Sequence, residues 1–391
     1  MTTRVKFGDV VKLSKERSSN PEADGYERYI GLEHIDPGEL RVRRWGDIAD
    51  GVTFTSVFKP GQVLFGKRRA YQRKVAVADF SGVCSGDIYV LEPKNDALLP
   101  ELLPFICQTD AFFDHAVGTS AGSLSPRTNW KSLATFEFDL PPIEEQRQMV
   151  DRIAIFDKSV DTMRNAWKRL LKVKQSLLVE LFPPDSVISG ADSLQSFVDR
   201  KLIDFQTGPF GTVLSAKEYT ESGWPIINPT DMRHGEISHQ DGPCVPEDTA
   251  QRLAKYRMTK GDILLARKGE IDKACLARAE HEGWIVGSDC IRIRCEQKHL
   301  SSEYLLYFLQ SPGSARLLLS HAHGTVMPGL NEKMLGQLRL SLPENDEQDQ
   351  AVAALSQLDE KLIHIRSRVD ASSRFRNEVL NKLLEGVPNV V

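Results

Sequence analysis

The sequence predicts an α+β fold that is internally duplicated, with two α/β domains joined by two long helices that form an antiparallel coiled coil. Three observations predict it. Matching strings recur in order at an offset of about 200 residues. Each half opens with short β-branched runs bounded by Gly, Asp and Pro. Each half then closes on an LPP or LPE turn followed by about 40 residues of helical periodicity. A chain of 391 residues is also longer than one ordinary core requires, so at least two domains are expected.

The repeat is the strongest of the three. DPGEL at 36–40 matches RHGEI at 233–237, and KPGQVLFGKR at 59–68 matches TKGDILLARK at 259–268. SGD at 85–87 matches GSD at 287–289, and LLPF at 102–105 matches LLYF at 305–308. HAVGT at 115–119 matches HAHGT at 321–325, and DLPPIEEQRQ at 139–148 matches SLPENDEQDQ at 341–350. One or two such matches arise by chance; an ordered set does not. Within the globular halves, Val75–Val77, Ile88–Leu91, Ile263–Leu265 and Ile291–Ile293 are the expected strands.

Behind Pro142, apolar residues recur at steps of three and four: Ile153, Phe156, Val160, Met163, Trp167, Leu170, Leu177 and Leu181, with Lys174 as the polar exception. This is a heptad seam. A shift of 202 gives Leu355, Leu358, Leu362, Ile365, Val369, Ser372, Arg376, Val379 and Leu383, so both seams carry a base at the same place. A helix of about 40 residues is about 60 Å long, and so narrow a stripe must be covered. Its own duplicate is the expected cover; packing of each helix on its own globular half is the alternative. Pro183 and Pro184 end the first helix, and Asp185 to Ser193 reads as a linker. The resulting segments are a first domain at 1–141, a central helix at 142–183, a second domain at 184–342 and a C-terminal helix at 343–386.

Composition narrows the function. Apolar residues at 41% and charged residues at 27% are those of a soluble globular protein, and no run approaches a membrane span. Met1 to Lys6 has no apolar h-region, so no signal peptide and a cytoplasmic location are expected. The six cysteines form no CxxC pair and no Cys–His spacing, which suits buried thiols in a reducing compartment. A net charge of −4 argues against a protein that coats nucleic acid nonspecifically. Any such contact must come from local basic patches.

The whole organisation resembles the specificity subunits of type I restriction–modification systems. The resemblance is carried by LPPIEEQRQMVDRI at 140–153 with QSLL at 175–178, and by GPFGTVLSAKEY at 208–219 with GWPIINPTDMRHGEI at 223–237. It implies two target-recognition domains that each read one part of a split, asymmetric site on double-stranded DNA. It implies helices that space those domains and dock methyltransferase subunits, two in number, with a restriction and translocase subunit joining for cleavage. No cofactor is expected in this chain; S-adenosylmethionine, ATP and Mg are expected in the partners. The second copy departs from the pattern, since SLPENDEQDQ lacks the second proline.

Phosphates are met by Lys, Arg, hydroxyls and backbone N–H, and base edges by Arg, Lys, Asn, Gln and Glu. The densest candidate is GKRRAYQRK at 66–74, where Lys67, Arg68, Arg69, Arg73 and Lys74 surround Tyr71 and Gln72 without an acid. Its repeat supplies Arg267, Lys268 and Lys273. A solvated charged hairpin is the other reading. Arg41, Arg43 and Arg44 form a second cluster, beside Trp45, which a plain surface loop explains equally well. Two glycine-rich loops, GTSAGSLSPR at 118–127 and GTVMPGLNEK at 324–333, add Thr119, Ser125, Arg127, Thr325 and Lys333. Ser215 and Lys217 behind GPFG at 208–211 complete the set, though a tight turn accounts for those glycines too.

No catalytic machinery emerges. NPTD at 228–231 and FGKR at 65–68 do not make the motifs of an aminomethyltransferase, and no phosphate-binding Walker loop is present. Asp87 with Glu92-Pro93-Lys94, and Asp289 with Glu296-Gln297-Lys298, have the rough spacing of a metal-dependent DNA endonuclease. Their spacing differs between copies and Pro93 interrupts the first, so strands with ordinary polar ends are expected. That endonuclease and a free-standing duplicated DNA-binding regulator are the rival functions.

Overall fold

The computed structural model describes residues 2–183, 190–233, 235–270, 273–322 and 329–384. Thr325, Pro184 and most of the expected linker lie outside the described residues, as does the side chain of Leu383. By compactness the chain forms two units, Met1–Arg164 with Arg366–Val391, and Asn165–Ile365. Each unit therefore holds one globular part, a segment of the central helix Ile143–Leu181 and a segment of the C-terminal helix Asn345–Leu384.

In the first unit, Val63–Gly66 is a buried central strand, with all four residues apolar or glycine. It pairs antiparallel with Val75–Val77 on one side and Ile88–Pro93 on the other, and Val11–Leu13 completes the sheet. A second sheet has the order Gly46–Asp47, Arg28–Ile30, Gly82–Cys84, Ser56–Phe58, with one parallel pair between Arg28–Ile30 and Gly82–Cys84. The strands Thr3–Lys6 and Glu137–Leu140 close the globular part just ahead of the central helix.

The second unit repeats this plan. Ile263–Ala266 is the buried centre, flanked by Ala274–Leu276 and Cys290–Cys295, with Ile203–Thr207 at the edge. Trp224–Ile227 pairs parallel with Ile285–Val286, and Asp192–Ser193 pairs with Arg339–Leu340. The register is retained even where chemistry changes. Leu64 faces Val90, and its equivalent Leu264 faces Arg292. Arg292 is buried at that site because the carbonyls of Lys255 and Arg257 and the carboxylate of Asp204 accept from it at 3.0, 3.1 and 2.9 Å.

One glutamine in the first turn of each long helix ties helix to globular part. Gln146 donates to the carbonyls of Ala97 and Pro141, each at 2.8 Å, and accepts from the Leu99 N–H at 2.9 Å. Gln348 donates to the carbonyls of His299 and Pro343 and accepts from Ser301 N–H in the same pattern. Both are buried, so no water replaces a lost bond. We expect Gln146→Ala or Gln348→Ala to destabilise its unit by about 2–4 kcal/mol, since buried backbone groups lose their partners. Chemical denaturation measures this; a loss below about 0.5 kcal/mol would mean that the bonds do not organise the junction.

Every seam position with a described side chain is buried or half-buried. In the second unit the two helices run antiparallel: Lys174 meets Asp359 at 2.6 Å, while Leu177, Leu178 and Leu181 share a core with Ala351 and Leu355. In the first unit the ring of Phe156 meets that of Phe375, and Asp157 meets Arg376 at 2.9 Å. The polar exceptions of the two seams are thus both neutralised by an acid of the facing helix. Asp157 and Asp359 stand 202 positions apart, as do Lys174 and Arg376, so each pair is the other with the roles of the two helices exchanged. All six cysteines are buried free thiols. Burial pushes Cys84, Cys275 and Cys295 up to about 12, which leaves them inert at neutral pH.

Candidate nucleic-acid interface

The basic hairpin of the first unit leaves the buried strand at Gly66, whose N–H donates to Lys74 O at 2.9 Å and closes the arm. Two other segments pack along it. The turn before Ile88–Pro93 gives Asp87, whose carbonyl accepts from Lys67 N–H at 2.9 Å. The glycine loop lies alongside, with Thr128 N–H donating to Lys67 O at 3.0 Å and Arg69 N–H to Pro126 O at 2.7 Å. Three stretches far apart in sequence therefore form one edge.

Asp87 organises the charges there. Its carboxylate accepts from Arg127 at 2.8 and 3.3 Å and from Arg68 at 3.5 Å. The Arg127 guanidinium holds the Asp87 carboxyl below the usual range against the opposing effect of burial, and Arg68 and Lys67 add to the lowering. This arrangement is therefore intact above the ordinary carboxylate range and is lost only as pH falls through the lowered value. Arg68 also donates to Ser125 Oγ at 3.1 Å, and Lys67 Nζ lies 4.8 Å from the ring centre of Tyr89. Arg73 is tied to Asp110 and to Gln108 O and stacks on Phe113, while Lys74 donates to Leu32 O at 2.6 Å. Tyr71 at the turn is 55% exposed.

The second unit builds the same edge. Arg267 N–H donates to Asp289 O at 2.9 Å, Leu330 N–H donates to Arg267 O at 2.8 Å, and Lys268 pairs with Asp289 at 2.8 Å. Lys268 and Gly329 form a bridge where Arg68 and Arg127 do in the first unit. The Arg267 side chain donates to Leu330 O and Ser288 O. Lys273 pairs with Glu270, and Lys333 is exposed on the short helix Glu332–Gly336 behind the loop.

Other expected residues lie elsewhere or serve local structure. Arg41 and Arg43 both pair with Asp161 of the central helix, and Arg43 also with Glu39, which places that cluster against the helix rather than on the hairpin edge. Arg44 pairs with Asp36 and donates to Glu33 O. The Thr119 hydroxyl donates to His115 O at 2.7 Å. Ser215 Oγ accepts from Lys217 N–H and caps the turn Ala216–Glu218, with Lys217 itself exposed. His115 is occupied by Ser132 O at 2.8 Å. The organising acids Asp87 and Asp289 stood out in the sequence as the repeated SGD and GSD strings and as the first carboxylates of the endonuclease-like spacing, neither of which indicates their role in holding the bases.

The carboxylates that resemble a nuclease motif do not converge. Asp87 precedes and Glu92 nearly ends the strand Ile88–Pro93, a separation of about 16 Å at strand rise. Glu92 is engaged by Gln62 and Lys12, and Asp289 by Lys268. Among the described residues no group of three or more His, Cys, Asp or Glu side chains is placed to hold a metal ion.

Comparison with known proteins agrees with the duplication. The family model for the type I restriction modification DNA specificity domain matches this chain twice, at residues 4–172 and 198–370. The MjaVIII type I specificity subunit of Methanocaldococcus jannaschii is 21% identical, covering 98% of this chain and 92% of that protein. The EcoDI type I specificity subunit of Escherichia coli is 32% identical over 39% of this chain and 37% of its own length. In fold, the chain is similar to a type I restriction–modification S subunit from M. genitalium, with a TM-score of 0.54, 14% identity and coverage of 99% and 97%. It is also similar to a chain from a structure of type I system assembly and conformational transition, with a TM-score of 0.56, 20% identity and 97% coverage of both.

Proposed function

This chain belongs to the family of type I restriction–modification DNA specificity proteins, and from that premise we propose how it performs the specificity role. It is the non-catalytic subunit that selects the DNA sequence, and methyltransferase and restriction subunits are its partners. The observation that carries the reading is the doubled edge: a basic segment leaving the central strand, the chain that follows a glycine loop beside it and one aspartate pairing with the bases, found on the equivalent sheet of each unit. An acidic chain that keeps its bases on such edges meets the duplex locally rather than along its whole surface.

Each edge reads one part of a bipartite site, and the two parts differ because the hairpins differ. Arg68, Arg127, Lys67 and Lys74 face phosphates in the first unit, with Tyr71 and Gln72 between them; Arg267, Lys268, Lys273, Thr325 and Lys333 serve the second. Ser125 positions Arg68, and the exposed Lys217 adds an ammonium in the second unit, while the hydroxyls of Thr119 and Ser215 shape their own turns. Arg41, Arg43 and Arg44 add positive potential beside the central helix. Parts of a site read from one side of the duplex fall about 34–36 Å apart or at multiples of this, and the paired helices supply a stiff spacer. The functional segments follow the order 1–141, 142–183, 184–342 and 343–386. Two methyltransferase subunits bring S-adenosylmethionine, and the restriction subunit brings ATP and Mg. The assembly works in the cytoplasm; among the described residues no helix is long and apolar enough to cross a membrane.

The purified chain incubated with duplex DNA and magnesium is expected to leave the DNA intact and unmethylated. Methylation is expected once the methyltransferase subunit and S-adenosylmethionine are added. Cutting by this chain alone would overturn the reading in favour of an endonuclease.

A further inference from the structure

Five bases crowd the hairpin of the first unit, and the side chain of one of them has no partner among the described residues. Lys67 lies over Tyr89, Arg68 has Asp87 and Ser125, Arg73 has Asp110 and Phe113, and Lys74 has Leu32 O. Arg69 has no ion pair, ring or side-chain hydrogen bond among the described residues, and its Nε is shielded from solvent without an acceptor. A guanidinium left so calls for an acceptor from outside the chain.

Its backbone sharpens the point. Arg69 adopts φ 54°, ψ 55°, the left-handed region, which strains any residue with a β-carbon. At the equivalent place in the second unit the chain has Gly269, with φ 73°. Nothing lies within 4 Å of a β-carbon built on Gly269, so steric exclusion does not dictate the glycine there. The hairpin needs a left-handed residue, glycine meets that need without strain, and the first unit nevertheless holds an arginine. The left-handed backbone is locked by Arg69 N–H on Pro126 O and by Gln72 N–H on Arg69 O at 2.8 Å. Gln72, across the turn, likewise has no side-chain partner among the described residues, and the exposed Tyr71 stands between them.

Resting on the DNA-specificity reading above, we propose that Arg69 is a specificity-determining residue of the first unit. Its planar fork takes the O6 and N7 acceptors of a guanine in the major groove, and Gln72 reads the neighbouring base. Charge alone would serve a phosphate, and the ammonium groups of the hairpin, Lys67 over Tyr89 and Lys74 on Leu32 O, already supply that charge. A strained, locked backbone is useful where a planar donor pair must be aimed. Because Gly269 has no side chain, the second unit lacks this contact, which makes the two parts of the site differ at this position.

The test is selection of duplexes from a random pool by the full chain in complex with its methyltransferase subunit, for wild type, Arg69→Gly and Arg69→Lys. The wild type is expected to enrich a bipartite motif with a guanine that both variants lose, the other part of the motif being unchanged. Affinity for the guanine-bearing duplex should fall about tenfold to a hundredfold, while thermal stability of Arg69→Gly equals or exceeds wild type. Arg69→Lys, which keeps charge and length but not the fork, guards against misfolding of the glycine variant. Retention of the guanine by the folded variants, or equal weakening on all sequences, overturns the proposal. Failure of the wild type to enrich any motif overturns the specificity reading itself.

Discussion

Asp359→Ala is expected to destabilise the second unit by about 2–3 kcal/mol, and the exchange Lys174→Asp with Asp359→Lys to restore most of the loss. Asp359 accepts from Lys174 at 2.6 Å and from the Tyr307 hydroxyl at 2.9 Å. Lys174 keeps only 13% of its side-chain surface in water, so the Asp359 carboxylate, with the Tyr307 ring 5.2 Å from Nζ, replaces hydration that its ammonium has lost. Burial first, and Asp359 second, push the Tyr307 phenol well above its ordinary range, which keeps it a donor at working pH. Removing one partner of a fully buried pair costs about 3–5 kcal/mol. The smaller figure follows because Asp359 remains 32% exposed. Urea denaturation of the two variants measures it. A single variant within about 0.5 kcal/mol of wild type would show that the pair does not hold the helices in register.

Replacing Arg68 and Arg69 with alanine is expected to lower DNA affinity by roughly a hundredfold and to flatten its salt dependence by about one unit of slope. The slope reports phosphate contact through Arg68, and the larger part of the affinity loss reports base contact through Arg69. The same change at Arg267 and Lys268 should do less. Residues 66–74 carry five bases and no acid, whereas 266–274 carry three bases against Glu270 and Asp272. Titration of a fluorescent duplex at several salt concentrations separates the two terms. An unchanged slope in the first variant would remove its hairpin from the interface.

Much of the fold was legible because duplication writes each physical requirement twice. Two apolar stripes in one register announce a helix pair, and the bases that interrupt them at Lys174 and Arg376 announce acids on the facing helix. Those acids, Asp157 and Asp359, carried a readable signal, since they stand at the repeat's own spacing. The same holds for Gln146 and Gln348, repeated within EEQRQ and DEQDQ, whose role becomes plain only when the carbonyls around them are seen. The four expected strands were legible as short apolar runs, because a central strand such as Ile263–Ala266 is buried on both faces.

The site was less legible, because a row of bases does not say where each one points. Sequence spacing alone could not tell that Arg41 and Arg43 turn to Asp161, some 120 residues away, while the Arg69 side chain has no hydrogen-bond or ion-pair partner among the described residues. It set Asp87 apart from a metal site but could not tell that this acid orders Arg68 and Arg127. Left-handed backbone at Arg69 is invisible in composition. The contrast with Gly269 became meaningful only once both residues were seen to have a positive φ.

Mapping of methylated bases across the genome of a cell that carries this chain with its methyltransferase subunit tests the central claim most directly. A single asymmetric motif in two parts, separated by unspecified bases and lost when this chain is deleted, is the expected result. A contiguous or palindromic motif, or methylation that persists without the chain, would contradict the assignment of sequence choice to these two units.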